Sequence, residues 1–335
     1  MGAMAGDAPR APAVAWHTTG FLQGLLYALP AAVAGVFSPV LGLALAVGVL
    51  PVAALPLPPR RRARRVLPLL GALSAGCFLI GSALAAHPVA AVAAMFGLGL
   101  GLGLWARDAA AGRAATMLCL PLIGIGLSFD EFGTALIAAA LMIAGSLYAW
   151  LTSLIWPEQE PAPVPASPPA GAAERRMLLD YAFLLGATGA TAAAVGFALD
   201  LEHVGWATAA ALFVLRPSAG QLLLRSVGRA ASVAAGALVA ALLAGPGPAF
   251  GAIAAAAAIG AIAATRGSRW YVTPGFTTFV VLTLILTGPG ERPGARVAER
   301  VTETAVGIGI ALAYGILVPV LLRRIRSVTA RRGAS

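Results

Sequence analysis

Three arginines lie at the edges of apolar segments, where a planar cation could bind an anion. Arg216 ends the apolar run that begins at Trp206, and Pro217 follows it directly. Arg225 and Arg229 come next, four residues apart and so on one face of a predicted helix. A guanidinium group binds a carboxylate through two parallel hydrogen bonds, and a helix broken by proline frees backbone groups nearby. The pattern is compatible with an anion site, or with arginines that only reach lipid headgroups and fix topology.

Two more residues could contribute to a cavity that holds this anion site. Glu303 lies just inside the last apolar segment, in ERVTETAVGIG, where a carboxylate takes either a proton-coupling role or a structural ion pair. Its shallow position favours the ion pair. Pro274 interrupts the segment YVTPGF and either lines the cavity or marks a kink.

Other chemistry finds little support in the sequence. His17, His87 and His203 are scattered, and Cys77 and Cys119 lie inside apolar runs, so we expect no metal site and no cofactor. A nucleophile–base pair and paired catalytic carboxylates are both missing from the sequence. We therefore expect no catalytic residues, and a protein that is not an enzyme.

The elements that would hold these residues are membrane helices. The chain has 335 residues, of which 59% are apolar and only 11% charged, with a mean hydropathy of +0.88. This composition predicts an all-α polytopic membrane protein, and the apolar runs allow about twelve transmembrane helices. We place them at 21–36, 39–56, 66–86, 88–106, 114–129, 134–156, 177–199, 203–216, 229–245, 249–265, 271–288 and 301–322.

The arginines sort to one side of the membrane under this scheme. All 23 basic residues are arginine, and they fall in short turns, which argues against nucleic acid as a partner despite the net charge of +10. With a cytoplasmic N-terminus, only Arg292, Arg296 and Arg300 lie outside. The sequence thus predicts a multi-pass protein of the cytoplasmic membrane with both termini cytoplasmic. We interpret the run from Arg60 to Arg65 as a topology signal that also attracts anionic lipids.

A Pro-rich segment divides the chain into two halves. The predicted organisation is a cytoplasmic tail, a six-helix half, a cytoplasmic linker, a second six-helix half and a basic cytoplasmic tail, at 1–20, 21–156, 157–176, 177–322 and 323–335. The halves also look related: Arg65 and Arg229 each open a third segment, and Trp150 and Tyr314 recur at the same spacing in the sixth. Six helices per half predict two parallel repeats, related by an axis along the membrane normal.

Short segments at matching positions are the best sequence pointer to a transport site. The second segment of each half is short or interrupted by proline, at 38–51 and 204–217. Both could equally be ordinary helices that proline ends at the cytoplasmic face. In GLGLGLGLW, the pairs Gly97/Gly101 and Gly99/Gly103 predict close helix packing, because the spacing fits no nucleotide-binding loop.

The second half resembles the fusaric acid resistance (FUSC) family of membrane transporters. The resemblance rests on HVGWATAAALFVLRPS, RSVGRAASVAAGALVAALLA, YVTPGFTTFVVLTLIL and RVAERVTETAVGIGIAL, within 203–322. This family includes aromatic acid exporters and is related to the plant malate channels. The resemblance implies a doubled six-helix unit that moves organic anions, with Arg216, Arg229, Pro274 and Glu303 at recurring positions. The short linker replaces the large cytoplasmic domain of many members, so regulation through that domain is not implied here.

We therefore expect an exporter of small organic or aromatic carboxylic acids across the cytoplasmic membrane. Arg216, Arg225 and Arg229 would draw the anion to the inner mouth, and backbone groups freed at Pro217 would help to hold it. Membrane lipids are the other expected partners, and assembly of several copies is compatible with the sequence. Two alternatives stay open: a passive organic-anion channel, and a non-transporting scaffold of a cell-envelope complex.

Overall fold

The computed structural model consists of helices and the turns that join them, with no strand in the residues it describes. Those residues are 12–108, 110–160, 172–216, 218–244, 248–288 and 290–318. Pro217, the first eleven residues of the predicted N-terminal tail, most of the predicted linker and the predicted C-terminal tail lie outside these ranges. The helices α1 to α12 are, in chain order, Thr18–Phe37, Pro39–Ala53, Val66–Ala85, Pro88–Asp108, Ala110–Gly126, Phe132–Ser153, Ala172–Ala198, Val204–Val214, Ala219–Leu243, Pro248–Ala264, Val272–Ile285 and Pro293–Leu312.

Within the described ranges, seven helical segments are long and apolar enough to cross a membrane. Five shorter apolar helices accompany them, and α2 and α8, the second helix of each half, are both among the short ones. Ser38 caps α2, whose first residue is Pro39, while α8 is only 11 residues long. The predicted class, an all-α polytopic membrane protein, agrees with this architecture.

Two helices begin much earlier than the segments predicted from the sequence. Helix α9 begins at Ala219 instead of residue 229, because the Ser218 hydroxyl accepts a hydrogen bond from the Gln221 amide and caps it. Helix α12 begins with Pro293 instead of residue 301. Arg225, Arg296 and Arg300 therefore lie within helices, and not in the turns where we had placed them.

The helix contacts of the first half recur in the second. In the first half α1 packs on α2, α2 on α6, α3 on α5 and α6, and α4 on α5. In the second, α7 packs on α8, α8 on α12, α9 on α11 and α12, and α10 on α11. Between the halves, α4 packs on α7 and α1 on α10, while α5 meets α8 and α2 meets α11. Each of these contacts has its counterpart when the halves are exchanged, whereas the packing of α2 on α10 has no counterpart of similar size between α8 and α4.

Small residues bring the halves into close contact. A Cβ atom at Gly99 would lie 2.6 Å from the Gly186 Cα atom, and one at Gly24 would lie 2.7 Å from the Gly260 Cα atom. Both α4–α7 and α1–α10 therefore pack nearly backbone to backbone. The predicted packing role holds for Gly99 and Gly103, whereas Gly97 and Gly101 meet no neighbouring atom within 4 Å.

Arg64 has a structural role beyond the topology signal and lipid attraction that we predicted for the basic run. Its side chain is fully buried, and its guanidinium donates to the carbonyl oxygens of Ser153, Trp156 and Pro157 at and beyond the end of α6, the last two at 2.9 Å. A helix leaves its last carbonyl groups unpaired and carries partial negative charge there. Arg64 therefore satisfies the C-terminal end of α6, while its neighbours Arg62 and Arg65 are exposed.

Candidate functional site

Arg229 is a buried cation in the middle of α9. Only 7% of its surface is exposed, and its guanidinium carbon lies 4.7 Å from the centre of the Phe213 ring on α8. Its Nε atom is buried and has no hydrogen-bond partner. A cation over an aromatic face is stabilised by about 2 kcal/mol when water is excluded, which offsets only part of the cost of burying the charge.

A second arginine lies on the adjoining helix. The guanidinium carbon of Arg300, on α12, is 4.2 Å from the centre of the Trp206 ring on α8, and its Nη1 atom is buried without a hydrogen-bond partner. Arg300 is close enough to Arg229 for the two charges to repel each other. Trp206 and Phe213 are two helical turns apart, so one face of α8 carries both rings.

Glu303 is buried in the same helix contact, beside the start of α8. It is only 1% exposed; its Oε1 atom accepts a hydrogen bond from the His203 backbone amide at 3.0 Å, and its Oε2 atom has no partner. Arg300 attracts this carboxylate. Arg229 has no such compensation, because the one charged side chain that acts on it in the described ranges is Arg300, a like charge.

An ion-pair cluster lies at the start of α12. The Arg296 guanidinium contacts Glu202 and Glu291 at 2.5 Å and Glu299 at 2.6 Å, and it lowers the pKa of the Glu291 carboxyl by hydrogen bonding. His203 contacts Glu299 through Nδ1, and its ring stacks on that of Trp206 with the centroids 4.2 Å apart. The cluster thus borders the ring on which Arg300 lies.

A metal ion could be held at only one place among the described residues. Ligand atoms of Glu202, His203 and Glu299 lie within 4.8 Å of one another, a grouping that the scattered histidines of the sequence did not suggest. Arg296 already contacts both carboxylates and compensates their charge. The arrangement is sufficiently explained as an ion-pair network at the start of α12.

Arg216 lies away from the buried pair, just beyond the end of α8. Its Nη1 atom donates to the Leu215 carbonyl oxygen at 2.5 Å, and the Tyr181 hydroxyl donates to the same oxygen at 3.2 Å. Its Nη2 atom is 3.7 Å from the Met117 sulfur. These contacts complete the C-terminal end of α8.

The other predicted site residues do not join Arg229. The Arg225 guanidinium lies 4.8 Å from the centre of the Trp270 ring and is close to Arg216. Pro274 lies in the first turn of α11, where proline fits without breaking the helix, so the predicted interruption is a helix start. Of the residues predicted from the sequence, the structure thus brings Arg229 and Glu303 into one helix contact and leaves Arg216, Arg225 and Pro274 outside it.

Sequence reasoning missed Arg300, Trp206 and Phe213 as members of the site. We had assigned Arg300 to an external turn and had given the two aromatic residues no role in the site. The available signal was the spacing: Arg300 precedes Glu303 by three residues, and the two aromatic residues are seven apart, so each pair shares a helix face.

The segment that holds this site is similar to a known protein family. Residues 191–314 match the family described as fusaric acid resistance protein-like. The match confirms the resemblance predicted from the sequence, over less than half of the chain. No curated protein and no solved structure matches the chain.

Buried charge is concentrated in the fusaric acid resistance protein-like segment. It contains Arg229 and Glu303, the buried charged residues that the structure describes in the second half. In the first half, the corresponding contact of α3 and α6 buries Ser74 and Ser146 instead, and Arg64 lies at its helix end. The two halves therefore share a pattern of helix contacts but not a pattern of charge.

Proposed function

We propose that this protein transports small organic anions. Arg229, together with Arg300, binds the anion as it crosses the membrane. The family match and the apolar helices support a membrane transporter. One observation carries the assignment of the site: Arg229 is buried, its Nε atom has no partner, and its charged neighbour is another arginine. A bound anion would supply the missing acceptor and relieve the repulsion.

The cargo we infer is a small organic or aromatic carboxylate. A carboxylate fits the fork of a guanidinium group through two parallel hydrogen bonds. The rings of Trp206 and Phe213, which lie against the two arginines, offer apolar surface to an organic group. The direction we propose is export across the cytoplasmic membrane, with both termini in the cytoplasm. The distribution of arginines along the sequence supports that orientation of the chain.

We further propose that the two halves are parallel repeats related by a two-fold axis along the membrane normal. The recurrence of the helix contacts, both within and between the halves, supports this arrangement. The charged site then belongs to one repeat, and in the other repeat the corresponding contact of α3 and α6 buries serines instead.

The site is tested by flux in proteoliposomes. Purified protein is reconstituted with a labelled benzoate or dicarboxylate inside, and release is compared with that of Arg229→Met. We expect the variant to release the anion at a rate at least about tenfold lower, because a charge-assisted hydrogen bond is worth roughly 1.5–3 kcal/mol. Arg113→Met makes the same change at an exposed position and should keep the wild-type rate.

The same preparation separates the three functions. Flux that saturates with anion concentration indicates a carrier, and a steady conductance in planar bilayers, equally dependent on Arg229, indicates the channel alternative. No flux of any organic anion from folded protein, together with a partner that copurifies in fixed ratio, would refute transport and favour the scaffold.

A further inference from the structure

A long apolar groove runs along the outside of the second half. Helices α9 and α10 both pack on α11 and leave between them a space of about 980 Å³. Its walls are mainly alanine and glycine on α9 and α10, and its floor includes Phe276 and Phe279. Arg229 is not among its lining residues, because it projects from α9 towards α8. The groove is thus separate from the proposed anion site.

The length of the groove matches the thickness of a membrane's apolar core. Its lining on α9 extends from Leu224 to Leu243. At about 1.5 Å per residue these positions are roughly 28 Å apart, close to the roughly 30 Å thickness of the hydrocarbon core. Leu224 and Val239 are 59% and 45% exposed, so the groove opens outwards and not into the helix bundle.

Charge is found at one end of the groove, among the lining residues that the structure describes. Arg269 and Tyr271 line the end where α9 begins, and the Arg225 guanidinium lies over the adjacent Trp270 ring. At the opposite end, Leu243 also borders a small cavity of about 140 Å³ whose described lining is uncharged. The basic end is the one that the distribution of arginines assigns to the cytoplasm, where membrane leaflets carry anionic lipid.

We propose that this groove binds an anionic two-chain lipid, with its acyl chains along α9 and α10 and its headgroup at Arg225 and Arg269. An apolar channel of this length fits acyl chains, and the basic and aromatic residues at one end complement a phosphate headgroup at the interface. The proposal does not depend on the transport function, since none of these residues belongs to the pair Arg229 and Arg300.

Native mass spectrometry of the full-length protein tests the headgroup preference. After detergent exchange, retention of phosphatidylglycerol is compared with that of phosphatidylcholine with the same acyl chains. We expect phosphatidylglycerol to be favoured by about fivefold for each arginine. Arg225→Gln and Arg269→Gln combined should remove the preference, while Arg113→Gln, at an exposed position elsewhere, should keep it.

A second pair of variants tests the groove itself. Ala235→Trp fills it, because Ala235 lines the groove and is exposed, and should abolish retention of both lipids. Ala230→Trp makes the same change at an exposed position of α9 outside the lining and should retain them.

Several outcomes would overturn the proposal. They are equal retention of the two lipids, retention unchanged by Ala235→Trp, and glycerol phosphate alone competing as well as the lipid. Loss of a dimer mass in Ala235→Trp, without any effect on lipid, would assign the groove to a second copy of the chain instead.

Discussion

Arg229 and Arg300 differ in which charged side chains surround them, although both guanidinium groups contact aromatic rings on α8. Glu303 attracts Arg300, whereas the charged group acting on Arg229 is Arg300 itself. Burying an unbalanced charge is costly, and a side chain that only stabilised the helix contact would be better replaced by an apolar one. The two arginines should therefore respond in opposite ways to removal of their charge.

Arg229→Met should stabilise the protein. The substitution removes a buried charge, an unpartnered Nε atom and a like-charge repulsion, and it loses one cation–ring contact in exchange. We expect the free energy of unfolding in detergent to rise by about 1 kcal/mol. A clear decrease, in a titration with denaturing detergent, would mean that Arg229 mainly holds α9 on α8.

Arg300→Met should destabilise the protein. It leaves the Glu303 carboxylate buried, with an unpartnered Oε2 atom and without the arginine that attracts it, at a cost of about 2 kcal/mol in the same titration. Adding Glu303→Gln should recover most of that loss, since the buried charge is then gone. If the double variant is no more stable than Arg300→Met, the two side chains do not act as a pair.

At the scale of helices, contacts between neighbouring elements depend on a few positions where no larger side chain fits. Gly99 on α4 faces Gly186 on α7, whereas Gly101, half a turn further along α4, faces open space. Arg64 has the opposite role, since it fills the space at the end of α6 with hydrogen-bond donors. Each feature can be tested by comparing a substitution at the contact with the same substitution at a nearby position that makes no such contact.

Gly99→Ala should weaken the contact of α4 and α7. Its added Cβ atom would lie 2.6 Å from the Gly186 Cα atom, so the helices must separate, at a cost of about 1–3 kcal/mol. Gly101→Ala adds the same atom where nothing lies within 4 Å and should leave stability unchanged or raise it by up to about 1 kcal/mol through helix propensity. Equal unfolding midpoints for the two variants would contradict this packing.

Arg64→Met should lower the free energy of unfolding by about 3 kcal/mol, because several carbonyl groups around the end of α6 lose a charged donor. Arg62→Met is the matched control, since Arg62 is exposed and precedes Arg64 by only two residues. Unfolding of both variants is followed in the same denaturing detergent. A similar loss of stability in both would point to the charge of the whole basic run instead of the cap.

At the scale of the whole molecule, the two halves hold each other through α4 with α7 and α1 with α10. We therefore expect the halves to stay associated without the covalent link between Glu160 and Ala172. A protease site introduced within 161–171 should allow cleavage after purification, and both halves should still migrate together in size-exclusion chromatography. Separation of the halves in mild detergent would show that the covalent link is required.

Much of the architecture was predictable because proline, glycine and long apolar runs act locally. The short second helices at α2 and α8 were predicted from such signals. The starts of α9 and α12 were not, because Arg225 in α9 and Arg296 and Glu299 in α12 resemble the charges of a loop. The candidate site was only partly predictable, since Arg229 over Phe213 and Arg300 over Trp206 are contacts between different helices.

The uneven distribution of buried charge has a consequence for how the two halves tolerate substitution over evolution. At the contact of α3 and α6, buried serines such as Ser74 and Ser146 require little more than correct volume, which many apolar sequences provide. Arg229, Arg300 and Glu303 restrict the second half to particular side chains. Sequence divergence should therefore accumulate faster at the contact of α3 and α6 than at the corresponding contact of α9 and α12, which lies within the segment matched at 191–314.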